Sequence, residues 1–78
     1  MEPIQVRTQD RLPNAFRWRR RLYLIEQILE SWVYRGKWWT DAELKGERRV
    51  YYRLLSRRGT YEVFRSSRHG WVLSRVQD

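Results

Sequence analysis

The residues of this chain best suited to do chemistry are cations set beside rings. They fall in Arg17-Trp18-Arg19, Tyr34-Arg35, Lys37-Trp38-Trp39 and Arg48-Arg49-Val50-Tyr51-Tyr52-Arg53. A guanidinium pairs with phosphate through a planar fork and stacks on flat faces. Exposed rings stack on bases, each worth roughly 1–3 kcal/mol, while cations follow the phosphates. The pattern therefore points to a polyanion, single-stranded nucleic acid first. The phosphate candidates are Arg17, Arg19, Arg20, Arg21, Arg49 and Arg53. The stacking candidates are Trp39 and Tyr51, with Tyr34 as a third. The three consecutive cations Arg19-Arg20-Arg21 repel one another, and a bound polyanion would relieve that repulsion. The plain alternatives are a solvated turn for that run and a place in the core for most of the rings.

Other chemistries find little support. His69 is the one histidine, and a lone imidazole beside Arg68 in a turn is an ordinary polar turn residue. A Ser-His-Asp set could be assembled from Ser66 or Ser67 with His69, but no spacing selects it. The four glycines stand singly, so no phosphate-cradling loop is present. Glu26 and Glu30 read as partners of nearby arginines rather than as an acid–base pair. Without cysteine, neither a disulfide nor a thiolate zinc site can form. The expectation is a non-enzymatic binding module with no metal and no cofactor.

Composition sets the bounds. The 78 residues carry a net charge of +8, and fifteen of the seventeen basic residues are Arg. One domain over 1–78 is expected, near the lower limit for unaided folding. Twelve aromatic residues supply its interior. Excess positive charge suits nucleic acid or an acidic protein face. A protein adaptor binding an acidic face of a replication or repair protein is thus the second reading, with Trp and Tyr as anchors. No apolar run approaches a membrane span and no signal sequence is evident. A cytoplasmic location is expected.

These residues must be positioned by strands. Arg49–Leu55, Thr60–Arg65 and Trp71–Val76 are rich in aromatic and β-branched residues, and the turns between them contain Gly59 and Gly70. Strict alternation along the last strand would put Trp71, Leu73 and Arg75 on one face, with Val72 and Val76 on the other. Ile4–Thr8 reads as a first strand, Leu12-Pro13-Asn14 as a bend, and Ala15–Arg19 as a strand with Phe16 and Trp18 inward. Arg19-Arg20-Arg21 is then a hairpin turn. Residues 25–35 are ambiguous. Ile25, Ile28, Leu29 and Trp32 fit a helical face, but no good N-cap precedes them. A long bent strand with a bulge near Glu26-Gln27, moving the inward set from Tyr23 and Ile25 to Ile28, fits as well and is preferred. Asp41–Glu47 reads as a charged, mobile loop. The expected fold is mainly β, a small bent antiparallel sheet or SH3-like barrel of five or six strands. The alternative is α+β with one helix at about 25–35. An exposed edge strand near Ile4 could pair with a second copy, giving a homodimer.

Taken together, these segments resemble a small bacterial domain family of unknown function. The resemblance lies in Phe16-Arg17-Trp18-Arg19, Tyr23, Ile25, Ile28-Leu29, Trp32 and Gly36-Lys37-Trp38-Trp39. It continues through Arg49, Tyr51 to Arg53, Tyr61 to Arg65, Gly70 to Leu73, Arg75-Val76 and Asp78. Arg20 departs from it, since the family usually has a turn Gly there. Members occur as free-standing short proteins and also at the C-terminus of mutagenesis-associated Y-family DNA polymerase-like proteins. The resemblance supplies no catalytic residues. It implies a tie to DNA-damage tolerance, through DNA or through a polymerase-like partner.

Overall fold

The computed structural model describes residues 1–35 and 47–77. Within them the chain is all strand: β1 Glu2–Pro3, β2 Gln5–Gln9, β3 Leu12–Trp18, β4 Arg21–Arg35, β5 Arg48–Ser56, β6 Gly59–Ser66 and β7 Gly70–Gln77. All pairings are antiparallel, in the order β1-β7-β6-β5-β4-β3-β2. The result is a curled half-barrel. The expected mainly β class is thus present, and no described residue is helical.

The N-terminal segment serves both ends of this sheet. β1 pairs with β7, β2 pairs with β3, and between them the Ile4 amide donates to the Trp71 carbonyl at 3.1 Å. Splitting this strand at Ile4 brings the count among the described residues to seven, against the five or six expected. Among the described residues β1 and β2 each pair on one side only, so the edge expected near Ile4 is present. A further one-sided stretch lies in β4: among the described residues, β4 pairs with β3 over Arg21–Leu24 and with β5 alone from Ile25 to Arg35.

β4 resolves the ambiguous stretch as a bent strand. Its register against β5 shifts between Ile25 and Gln27, where the bulge was expected, and again between Ile28 and Glu30. Each bulge adds one residue and exchanges the faces beyond it. Tyr23, Ile25 and Ile28 consequently all meet the core. The second shift, which the sequence reading did not include, directs Trp32 to the outer face, opposite Tyr51. Helical spacing was thus produced by two bulges in a strand.

A third irregularity corrects the face assignment on β7. Glu62 pairs with Arg75 and Val63 with Leu73, leaving Ser74 as the extra residue. Arg75 is therefore on the face opposite to Leu73, and Val76, paired with the core residue Tyr61, returns inward. Strict alternation failed here because period two holds only in an unbulged strand.

Turn chemistry sets the first two hairpins. Asp10 and Arg11 have φ of 52° and 69°, and Arg19 and Arg20 have φ of 51° and 66°. Two consecutive left-handed residues form the two-residue hairpin turn whose twist matches the flanking strands. The first turn is therefore Asp10-Arg11, not the expected Leu12–Asn14. Pro13 is a buried strand residue opposite Thr8, at a register shift that tolerates its missing N–H.

The core packs on the inner face. Phe16 stacks on Tyr23 at 4.8 Å, and Tyr61 meets both edge-on at 5.3 and 5.2 Å. Leu54, Val63, Tyr52 and Leu73 complete the buried cluster. The outer face carries a second apolar row that runs across four strands: Trp32, Tyr51, Phe64 and Val72. Phe64 is only 1% exposed although it points away from the main core. Both faces are therefore apolar, as expected for a strongly curled small sheet.

Candidate nucleic-acid interface

The sequence-derived site residues divide into separate groups. Arg17 is exposed on β3, opposite Leu22 and Gln5. Arg19 lies over the Trp18 ring at 4.8 Å and forms a 3.1 Å ion pair with Glu2. Glu2 also accepts a hydrogen bond from the Trp18 indole. These two hydrogen bonds, the indole first, hold the Glu2 carboxyl below its ordinary range. Arg20 and Arg21 are exposed and make no ion pair among the described residues. The arginine turn is therefore partly neutralised, with Arg20 and Arg21 left facing solvent.

Arg49, Tyr51 and Arg53 come together on the outer face of β5, where each also has partners within the fold. Tyr51 stacks on Trp32 at 5.3 Å and also meets Phe64 at 5.0 Å, so other rings contact it on two sides. The outermost ring of that stack is Trp32, which is half exposed at its edge strand. Arg53 pairs with Glu30 at 3.2 Å and lies within reach of the Trp32 face. The strand register extends this pair into a row of alternating charge, Glu30, Arg53, Glu62 and Arg75. Such cross-strand opposite charges stabilise the sheet.

Arg49 is the most enclosed of the predicted cations. Its guanidinium lies 4.4 Å from the Phe64 ring centre, donates to the Tyr51 hydroxyl at 3.2 Å and meets Glu47 at 3.1 Å. Glu47 is 2% exposed and accepts a hydrogen bond from the buried Ser66 hydroxyl. Burial raises the Glu47 carboxyl, but the Ser66 hydrogen bond and the Arg49 charge outweigh it and the net shift is downward. Arg49 thus fastens the start of β5 to the end of β6. Trp39 lies outside the described residues.

A cationic group that sequence reasoning missed lies on the inner face, one row beyond the core. Arg35 stands directly opposite Arg48, and Arg65 directly opposite Val50 and Trp71. Val50 and Trp71 both pack against the core cluster. Directly opposed residues share a face, and residues two apart on one strand do also. Arg35, Arg48 and Arg65 therefore share one face with Val33, Val50 and Trp71. All three are exposed, and none makes an ion pair among the described residues. Arg48 and Arg65 together line a cavity of about 470 Å³ with Val50, Ser66, Ser67 and Gly70.

Local geometry fixes that cavity's rim. The Arg48 amide donates to the Ser67 hydroxyl at 3.1 Å, and the Ser67 amide donates to the Arg48 carbonyl at 3.0 Å. Ser66 accepts from the Arg68 and His69 amides at 3.0 and 3.1 Å, closing the turn before Gly70. Gly70 has φ of 71°, which glycine adopts without a Cβ clash. The signal for this group was present in the sequence as Arg48-x-Val50-x-Tyr52-x-Leu54. Reading the apolar members as inward places Arg48 in line with them.

The chain belongs to the domain family described as domain of unknown function DUF6504. Its family model matches residues 1–78. No curated protein and no solved structure matches the chain. Among the described residues no helix is long and apolar enough to cross a membrane, and no group of three or more His, Cys, Asp or Glu side chains converges as a metal site would require.

Proposed function

We propose that this domain is a non-enzymatic binding module for single-stranded or structured nucleic acid. The observation that carries the reading is the placement of Arg35, Arg48 and Arg65 on one face without a carboxylate partner among the described residues. Like charges directly opposed across two strands are unfavourable in the free protein. Phosphates seated between them turn that repulsion into charge-assisted pairing. Trp71, opposite Arg65, offers a ring beside the cations for a base. Arg20 and Arg21 form a second cationic group at the β3–β4 hairpin, with Arg17 on the opposite face of the same hairpin, where a longer strand would be held. Through the resemblance to domains that follow Y-family polymerase-like proteins, the proposed setting is DNA-damage tolerance in the cytoplasm.

The second reading, a protein adaptor, is favoured by the stretch of β4 from Ile25 to Arg35, which among the described residues pairs with β5 alone. Leu29, Trp32, Val33 and Tyr34 are all exposed there, and an unpaired apolar edge invites pairing with another chain. The partner would be a replication or repair protein with an acidic face, or a second copy of this chain.

Titration of a labelled single-stranded oligonucleotide at two salt concentrations separates the readings. Phosphate-held nucleic acid dissociates log-linearly with salt, whereas an aromatic-anchored protein contact responds weakly. The doubly substituted R48S/R65S protein should lose most of the affinity. Absence of binding at low salt sinks the nucleic-acid reading, and a saturable contact insensitive to salt turns it toward the adaptor.

A further inference from the structure

A cleft opens beside the part of β4 that pairs with β3 and has not yet met β5. Leu22 to Leu24 pair with β3 alone, and pairing with β5 begins at Ile25 opposite Ser56. The cleft measures about 430 Å³, and its lining includes Leu22, Leu24, Glu26, Ser56, Arg57 and Arg58. That volume lies within the range of small-molecule sites, about 300–1,000 Å³. Its apolar wall is unusually open, with Leu24 66% and Leu22 40% exposed. Arg57 and Arg58 occupy the β5–β6 turn, exposed and without an ion pair among the described residues. Ser56 fixes the turn by accepting from the Arg58 amide at 3.2 Å. Glu26 sits at the bulge that moves β4 from one partner strand to the other, and it is the one carboxylate in the lining.

We propose that this cleft binds a mononucleotide whose base carries an exocyclic amine. Arg57 and Arg58 would hold the phosphate through their planar forks. Leu22 and Leu24 would cover one face of the base, and Glu26 would accept from the amine, the pairing a carboxylate makes with cytosine. The one-sided strand edge at Leu22 to Leu24 adds backbone donors and acceptors of a kind that base edges use. The site involves none of Arg35, Arg48 and Arg65, so it stands or falls independently of the proposed nucleic-acid face.

The test is a backbone amide NMR titration of the full chain with cytidine, uridine and bare ribose 5-phosphates. Cytidine monophosphate should move the amides of Leu22 to Glu26 and of Ser56 to Arg58, and bind about tenfold tighter than uridine monophosphate. E26Q should bring the two within about twofold, since the charged acceptor is gone. R57S/R58S should weaken cytidine monophosphate by about tenfold or more, and R48S/R65S should leave the shifts of Leu22 to Glu26 and of Ser56 to Arg58, and the affinity read from them, unchanged. If R57S/R58S loses its folded spectrum, R57K/R58K replaces it. That variant keeps the charge without the fork and should still weaken binding by about threefold or more. The proposal is overturned by shifts confined to the Arg48 and Arg65 cavity, or by no shifts at millimolar ligand. It is also overturned if ribose 5-phosphate or an oligoglutamate peptide binds as tightly as cytidine monophosphate.

Discussion

Arg48→Thr tests the nucleic-acid face in two opposite directions at once. Arg48 faces Arg35 across the β4–β5 pair, and both are exposed. Directly opposed like charges cost about 0.2–1 kcal/mol, and solvent exposure places this pair near the lower end. Thr is a good strand former and keeps a short polar side chain. The substitution should therefore stabilise the free protein by about 0.3 kcal/mol, or about 2 °C in melting temperature for a domain this small. The gain should vanish near 1 M salt, where the screening length falls to about 3 Å. Binding should move the other way. Each phosphate contact on a single strand contributes about −0.7 to the slope of log affinity against log salt. Three arginines give a slope near −2, and losing Arg48 should bring it near −1.4. Thermal melts at low and high salt, with oligonucleotide titrations under the same conditions, read both effects. A destabilised variant would mean that the Arg48 stem contributes packing that outweighs the repulsion. An unchanged slope would remove Arg48 from the interface. Either result refutes the idea that this charge is kept for a ligand at the fold's expense.

Two further outcomes are expected. Arg20→Gly should stabilise the protein by about 0.5–1 kcal/mol, because Arg20 sits at φ 66° where a Cβ is strained and Gly is not; denaturant unfolding midpoints would show it. Glu47→Gln should destabilise by about 1–3 kcal/mol at neutral pH, since Arg49 loses its charged partner. Because the folded Glu47 carboxyl titrates below 4.5, the wild-type advantage is complete above that value and fades as pH falls through the lowered pKa. Urea melts of both proteins at successively lower pH should show the difference between them narrowing toward the acid end.

The sequence by itself determined the class of this fold and most of its interior. Aromatic and β-branched runs separated by Gly turns can form little but antiparallel strands, and Phe16, Trp18, Tyr23 and Ile28 were legible as inward because local alternation dictates face. The first bulge in β4 was also legible, since Ile25 and Ile28 cannot both face inward from an unbroken strand. Tertiary structure alone decided the rest, because each added residue at a bulge exchanges the two faces beyond it. The bulges at Leu29 and Ser74 sent Trp32 and Arg75 outward, and no local pattern announces where they fall. Pairing also chose the roles of the cations. Arg49 and Arg53 read from sequence as ligand contacts, and the register also puts Glu47 and Glu30 beside them. Arg35, Arg48 and Arg65, far apart in sequence, share a face only because strand register brings them together. A charge's availability depends on its neighbours in space, and that information is not local.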